Sequence, residues 1–163
     1  MNTDLTAEQI ESYQENGFIK IENFLNADEL EKMRDAVTES VDSMGNSVLN
    51  SRSDKDETFR EESVDDEKSY YSQVFLQRLN LWRINDFIKD FFICEQMGKF
   101  LCELEGVDGM RVWHDQTLQK KPWGNPTAFH LDNPYWSFSS RHAISIWVAL
   151  DDATMDNGCL WYL

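Results

Sequence analysis

The 163-residue chain is 41% hydrophobic, holds six tryptophans and carries a net charge of −15. That apolar content belongs to a folded domain rather than a disordered segment. Acidity of this size argues against nucleic acid or an anionic membrane as partner, because both need basic surfaces. The charge is uneven, with 19 acidic and 7 basic side chains in residues 1–70, a balance of −12; a cationic substrate would suit it.

Thr6-Ala-Glu-Gln9 is a capping-box pattern that predicts a helix to about Glu15, ended by Gly17. Phe18 to Glu22 alternates as a short strand. Asn26-Ala-Asp-Glu29 caps a second helix with Leu30, Met33, Val37 and Val41 on one face. The acidic run from Asp54 to Glu67 reads as a solvated loop or a lid. A third helix over Asp86 to Glu105 brings Phe87, Phe91, Leu101 and Leu104 close to one stripe, with Phe92 and Met97 beside it; at this spacing they are core rather than a cofactor box. The polar N-terminus lacks the apolar centre of a signal peptide, and no run approaches the roughly 18 apolar residues of a membrane span. Cys94, Cys102 and Cys159 are odd in number and lack metal spacing, which fits reduced thiols in a cytoplasmic protein.

From residue 110 the pattern changes to strands and turns. Met110 to Leu118 mixes β-branched, aromatic and polar residues, and Lys120 to Pro126 is turn chemistry. Ala143 to Leu150 alternates as a half-buried strand, Asp156-Asn-Gly158 marks a tight turn, and Cys159 to Leu163 begins another strand. Within this region stands Phe129-His130-Leu131-Asp132. On an extended chain, residues two apart face the same way, so His130 and Asp132 present an imidazole and a carboxylate together. Joined by a second histidine, such a pair makes the facial triad of non-haem Fe(II) oxygenases, with open positions on the metal. His114 lies in another strand block and reads as a structural hydrogen-bonding residue. His142 falls in a loop, exposed or capping a turn. Asp115, Asp151 and Asp152 could be mistaken for ligands, but the last two end a strand and read as a turn.

Four stretches resemble the phytanoyl-CoA dioxygenase family of Fe(II)/2-oxoglutarate oxygenases. They are Leu5 to Phe18; the blocks Asn80-Leu-Trp-Arg83 and Arg111-Val-Trp-His-Asp-Gln116; His130-Leu-Asp132 followed by Tyr135-Trp136; and Trp147 to Thr154 with Asn157-Gly-Cys-Leu160. Their order along nearly the whole chain is more specific than any one of them.

The resemblance implies an α+β fold with a mainly β core: a double-stranded β-helix, a jelly roll of the cupin type, with N-terminal helices packed outside. Residues 1–109 would be mostly helical cover, with an acidic loop near 51–68, and 110–163 the first part of the β core, all one partial oxygenase domain. A jelly roll closes with about eight strands, so the barrel is expected to be incomplete and its open sheet edge to favour self-association. The family continues with Pro-Gly-Ser-His, whose histidine completes the triad, and then an arginine for 2-oxoglutarate. The sequence stops at Leu163, which reads as a truncated chain lacking both.

By the same resemblance His130 and Asp132 bind Fe(II), while Gln116, Lys121, Thr127 and Trp147 border the site of 2-oxoglutarate, with O2 as the other co-substrate. A dianion suits amide and cationic donors, although Lys120 and Lys121 read equally well as an exposed hairpin turn and Trp147 as ordinary core. Tyr135 and Trp136 line a cavity for a small-molecule substrate, or simply pack. The implied activity is hydroxylation by a dioxygenase. Two alternatives stand beside it: a non-catalytic binding or scaffold protein with a decayed oxygenase fold, and a site for a different divalent metal serving hydrolysis or isomerisation.

Overall fold

Thr6 and Asn26 each close a full capping box. The Thr6 hydroxyl accepts the Gln9 N–H at 3.2 Å, and the Gln9 side chain accepts the Thr6 N–H at 2.8 Å. Asn26 and Glu29 repeat the exchange at 2.9 and 3.0 Å. These pairs satisfy N–H groups that a helix start leaves open, and they begin α1 (Ala7–Asn16) and α2 (Ala27–Met44). Gly17 ends α1 in the left-handed region at φ 76°. Asn26→Ala should cost about 1 kcal/mol of stability, measured by denaturant unfolding, as loss of an N-cap does elsewhere.

The computed structural model describes residues 1–45, 47–49, 59–61 and 75–163. After α2 come β1 (Ser47–Leu49) and β2 (Phe59–Glu61), an antiparallel pair. β3 (Leu76–Leu79) leads through a 3₁₀ turn at Leu81–Arg83 into α3 (Asp86–Phe92) and α4 (Glu95–Glu105), and β4 (Gln116–Gln119) returns antiparallel to β3 with Leu79 opposite Gln116. Apart from its β2 segment, the acidic run of Asp54 to Glu67 lies outside the described residues.

The single helix expected over Asp86 to Glu105 is two. Cys94 interrupts it in extended conformation, and its sulfur accepts the Met97 N–H at 3.4 Å as the cap of α4. The break turns the stripe: Phe91, Met97 and Leu104 are buried, whereas Phe87 remains 39% exposed. Asn85 caps α3 by accepting from Phe87 and Ile88.

Among the described residues the sheets have two strands each, and no jelly roll is displayed. The buried cluster is helical, built from Met33, Ala36, Val41 and Met44 of α2, Ile88 and Phe91 of α3, and Met97, Phe100 and Leu104 of α4, with Leu81 of the 3₁₀ turn. Phe24 covers it from the preceding loop, 5.5 Å from the Phe100 ring. Arg78, though in β3, is also buried, and it donates to the Gly45 carbonyl at 2.6 Å. A cation there meets the carbonyl-rich end of α2.

The strands expected at Phe18–Glu22, at Ala143–Leu150 and from Cys159 onward, and at His130–Asp132, form no ladder among the described residues. Their alternation survives without one. Ile144, Ile146, Val148 and Leu150 are half-buried against the helical core, while Ser145, Trp147 and Ala149 are exposed. Ile19 and Ile21 pack inward in the same way, and the Phe18 ring stacks on Tyr162 at 4.6 Å. Period-two burial fixes which side chains face in; a ladder also needs a neighbouring strand.

Candidate metal centre

His130 and Asp132 do come together. The imidazole Nε2 lies 3.4 Å from Asp132 Oδ1, and both side chains are open to solvent. His130 lies in irregular chain just before a turn, with the Tyr135 N–H donating to the Asp132 carbonyl at 2.8 Å. His130 Nδ1 sits 2.8 Å from the Ala128 carbonyl oxygen. A carbonyl only accepts, so Nδ1 carries a hydrogen on that side and Nε2 is the ring nitrogen directed toward the carboxylate. Asp132 Oδ2 accepts the Ser145 hydroxyl at 3.4 Å. Each of the two groups is thus oriented by a further partner, as metal ligands commonly are.

Ser145 was not singled out in the sequence. The signal was present: it shares the outward face of 143–150 with Trp147, two residues on. That face, not the core-facing one, meets the His130–Asp132 pair, and Trp147 stands 47% exposed on it. Reading Trp147 as core is therefore corrected.

The donor set suits a divalent metal at two positions, one imidazole nitrogen and one carboxylate oxygen. Among the described residues no three His, Cys, Asp or Glu side chains gather closely enough to hold an ion. His142 and His114 do not supply the third. His142 Nδ1 lies 3.2 Å from Glu105 Oε1, and Glu105 also accepts the Tyr13 hydroxyl at 2.8 Å. Burial, then the Glu105 bond and its charge, push the Tyr13 phenol up to about 12.

His114 departs from the hydrogen-bonding role expected of it. Neither ring nitrogen has a partner among the described residues; the ring packs 4.3 Å from Trp113 and edge-on to Tyr135. Burial pulls its pKa below the usual imidazole value, against a smaller opposing pull from the Asp115 backbone.

Asp115 is structural. Its carbonyl accepts the Asn80 N–H at 2.9 Å and its carboxylate the Trp82 N–H at 3.3 Å, so the Asn80–Arg83 and Arg111–Gln116 blocks are tied to each other. Asn80 occupies the left-handed region at φ 63°, where asparagine is tolerated. Burial raises the Asp115 carboxyl above its ordinary value, although backbone N–H groups oppose it. Because the folded pKa is the higher one, this contribution to stability is full below the ordinary carboxylate pKa and is lost as pH rises through the raised value. Asp115→Ala should cost about 1–3 kcal/mol by stranding buried N–H groups. Asp115→Asn should remove the pH term, so wild type gains on it as pH falls toward 4. Denaturant unfolding of all three proteins across pH checks both outcomes.

The remaining residues named from the sequence are placed less tightly. Gln116 accepts from the Gln77 amide at 2.7 Å across the β3–β4 pair. Lys121 and Thr127 are exposed, and Lys121 opens a turn closed by the Gly124 N–H at 3.0 Å. Among the described residues no hydrogen bond or ion pair links Gln116, Lys121 or Thr127 to His130 or Asp132. Tyr135 packs edge-on against Trp113 at 5.6 Å, and Trp136 stacks on Phe138 at 5.4 Å. Asp151 pairs with Arg34 of α2 at 3.1 Å, and the Asn157 amide closes the following turn on the Thr154 N–H; the turn reading of this stretch holds. The three cysteines are free.

The sequence profile of the phytanoyl-CoA dioxygenase family matches residues 13–163. A phytanoyl-CoA dioxygenase of Arabidopsis thaliana is 24% identical over 179 residues, covering 96% of this chain and 63% of its own length. Phytanoyl-CoA dioxygenase domain-containing protein 1 of Bos taurus is 25% identical over 187 residues, covering 98% of this chain and 64% of its own. Phytanoyl-CoA dioxygenase 1 of Oryza sativa is 26% identical over 187 residues, with 96% and 63% covered. The chain spans a little under two thirds of the length of these relatives. No solved structure matches it significantly. With nine tenths of its length under the family profile and the histidine–carboxylate pair set side by side, the chain belongs to the phytanoyl-CoA dioxygenase family.

Proposed function

We propose that the protein is an Fe(II)- and 2-oxoglutarate-dependent dioxygenase that hydroxylates a small organic substrate. The observation that carries this reading is the placement of His130: Nδ1 is held by the Ala128 carbonyl, and Nε2 lies on the same side as Asp132 Oδ1, 3.4 Å away. Bound iron would supply activation of O2 for attack on a C–H bond, with 2-oxoglutarate as the reductant that becomes succinate.

The chain's own residues would hold and orient. His130 and Asp132 would donate to the metal, and Ser145 would fix the carboxylate rotamer through Oδ2. Lys121, Thr127, Gln116 and Trp147 would border the co-substrate, and Tyr135 and Trp136 the substrate. No third ligand joins the pair among the described residues, and the relatives, of which this chain spans under two thirds, have length for one. The fold proposed with this activity is a double-stranded β-helix in which the 110–163 segment takes part. Free cysteines suit a cytoplasmic setting, and no described helix is long and apolar enough to cross a membrane.

The test is succinate formation from 2-oxoglutarate by the full-length protein. Turnover that requires added Fe(II) and stops with a chelator supports the reading. Absence of succinate under every iron concentration would favour the binding or scaffold alternative.

A further inference from the structure

Immediately after Asp132 the chain forms an open surface depression of about 450 Å³ lined by Asn133, Trp136, Phe138, Ser139, Ser140 and Arg141. Its size is that of a small-molecule site, and its walls divide by chemistry. Trp136 and Phe138 stack nearly parallel, 12° apart, and this stack is the apolar part of the lining. Trp113 meets Phe138 edge-on at 5.3 Å. The rest of the rim is polar, with two hydroxyls, an amide and a guanidinium.

Arg141 decides the sign. It makes no ion pair with any described residue, whereas the adjacent His142 is turned to Glu105. From residue 119 to 163 the sequence has three Lys or Arg, and Arg141 alone of them lines this depression. In a chain of net charge −15 an organic anion is repelled at long range, so its capture needs a local fork-shaped donor. The overall acidity had suggested a cationic substrate; the depression indicates the opposite.

The geometry points to this depression as the substrate subsite, taking a small organic acid whose apolar body packs against the Trp136–Phe138 stack while its carboxylate pairs with Arg141. This deepens the oxygenase reading and rests on it only in calling the ligand a substrate. Binding itself needs no iron and can be measured apart from it.

The probes are 2-naphthoate and its neutral counterpart 2-naphthamide, in equilibrium dialysis against the 163-residue chain with chelator present. The acid should bind more tightly than the amide by roughly tenfold, the scale of a hydrogen bond to a charged group. Arg141→Met should lower acid binding to the level of the amide, Arg141→Lys should retain part of it, and His130→Ala should bind both probes as wild type does. Circular dichroism confirms that each variant is folded. Equal affinity for acid and amide, no binding of either, an Arg141→Met variant that binds the acid normally, or displacement of the acid by 2-oxoglutarate would each overturn the assignment. None of these outcomes depends on turnover, so the oxygenase reading stands or falls separately.

Discussion

His130→Ala should lower 2-oxoglutarate turnover of the full-length protein by roughly a hundredfold or more, the upper range for a disturbed metal site. It should leave stability within about 0.5 kcal/mol, as exposed substitutions do. The separation of the two effects is the informative part. The imidazole is 62% exposed and its contacts are the Ala128 carbonyl and Asp132, so nothing in the helical core depends on it. Asp132→Ala should behave alike. Ser145→Ala should be milder, about tenfold at most, because it removes one hydroxyl that reaches Asp132 Oδ2 at 3.4 Å. Steady-state succinate formation and denaturant unfolding on the same preparations make the comparison.

The largest loss of stability is expected at Leu81. Leu81→Ala should cost about 2–5 kcal/mol, the range for truncating a buried leucine. Leu81 is 1% exposed and opens the 3₁₀ turn that packs against α2 and α3. Its neighbours are poorly placed to close the gap: Asn80 is held in the left-handed region and Trp82 is tied to Asp115. Phe87→Ala, by contrast, should cost under about 1 kcal/mol although phenylalanine is the larger residue, since its ring is 39% exposed. A single unbroken helix over 86–105 would have predicted Phe87 as core. The ordering of these two variants in urea denaturation therefore tests the break at Cys94 as well as the core.

The contrast shows what could be read from the residues. Both capping boxes, the Gly17 stop and the apolar face of α2 were legible because their determinants lie within four residues of one another. The break at Cys94 was not, since cysteine is a rare cap and the hydrophobic spacing runs on through it. In the C-terminal part, alternation gave the facing of Ile144, Ile146 and Val148 correctly, yet whether a strand pairs depends on a neighbour that alternation does not specify. The His130–Asp132 pair was visible for the same local reason as the caps. Ser145, Arg141 and the Asp115 tie to Trp82 join residues 13 to 33 positions apart or depend on the path of a loop, and no local pattern announces them.

The central claim is that His130 and Asp132 are iron ligands. Anaerobic equilibrium dialysis of Fe(II) against the full-length protein and its His130→Ala and Asp132→Ala variants tests it most directly. The account predicts saturable binding of one iron by the wild type, weakened by roughly tenfold or more in each variant. Equal iron binding by all three proteins would contradict it, and the pair would then be a surface ion pair on a protein whose metal, if it has one, is held elsewhere.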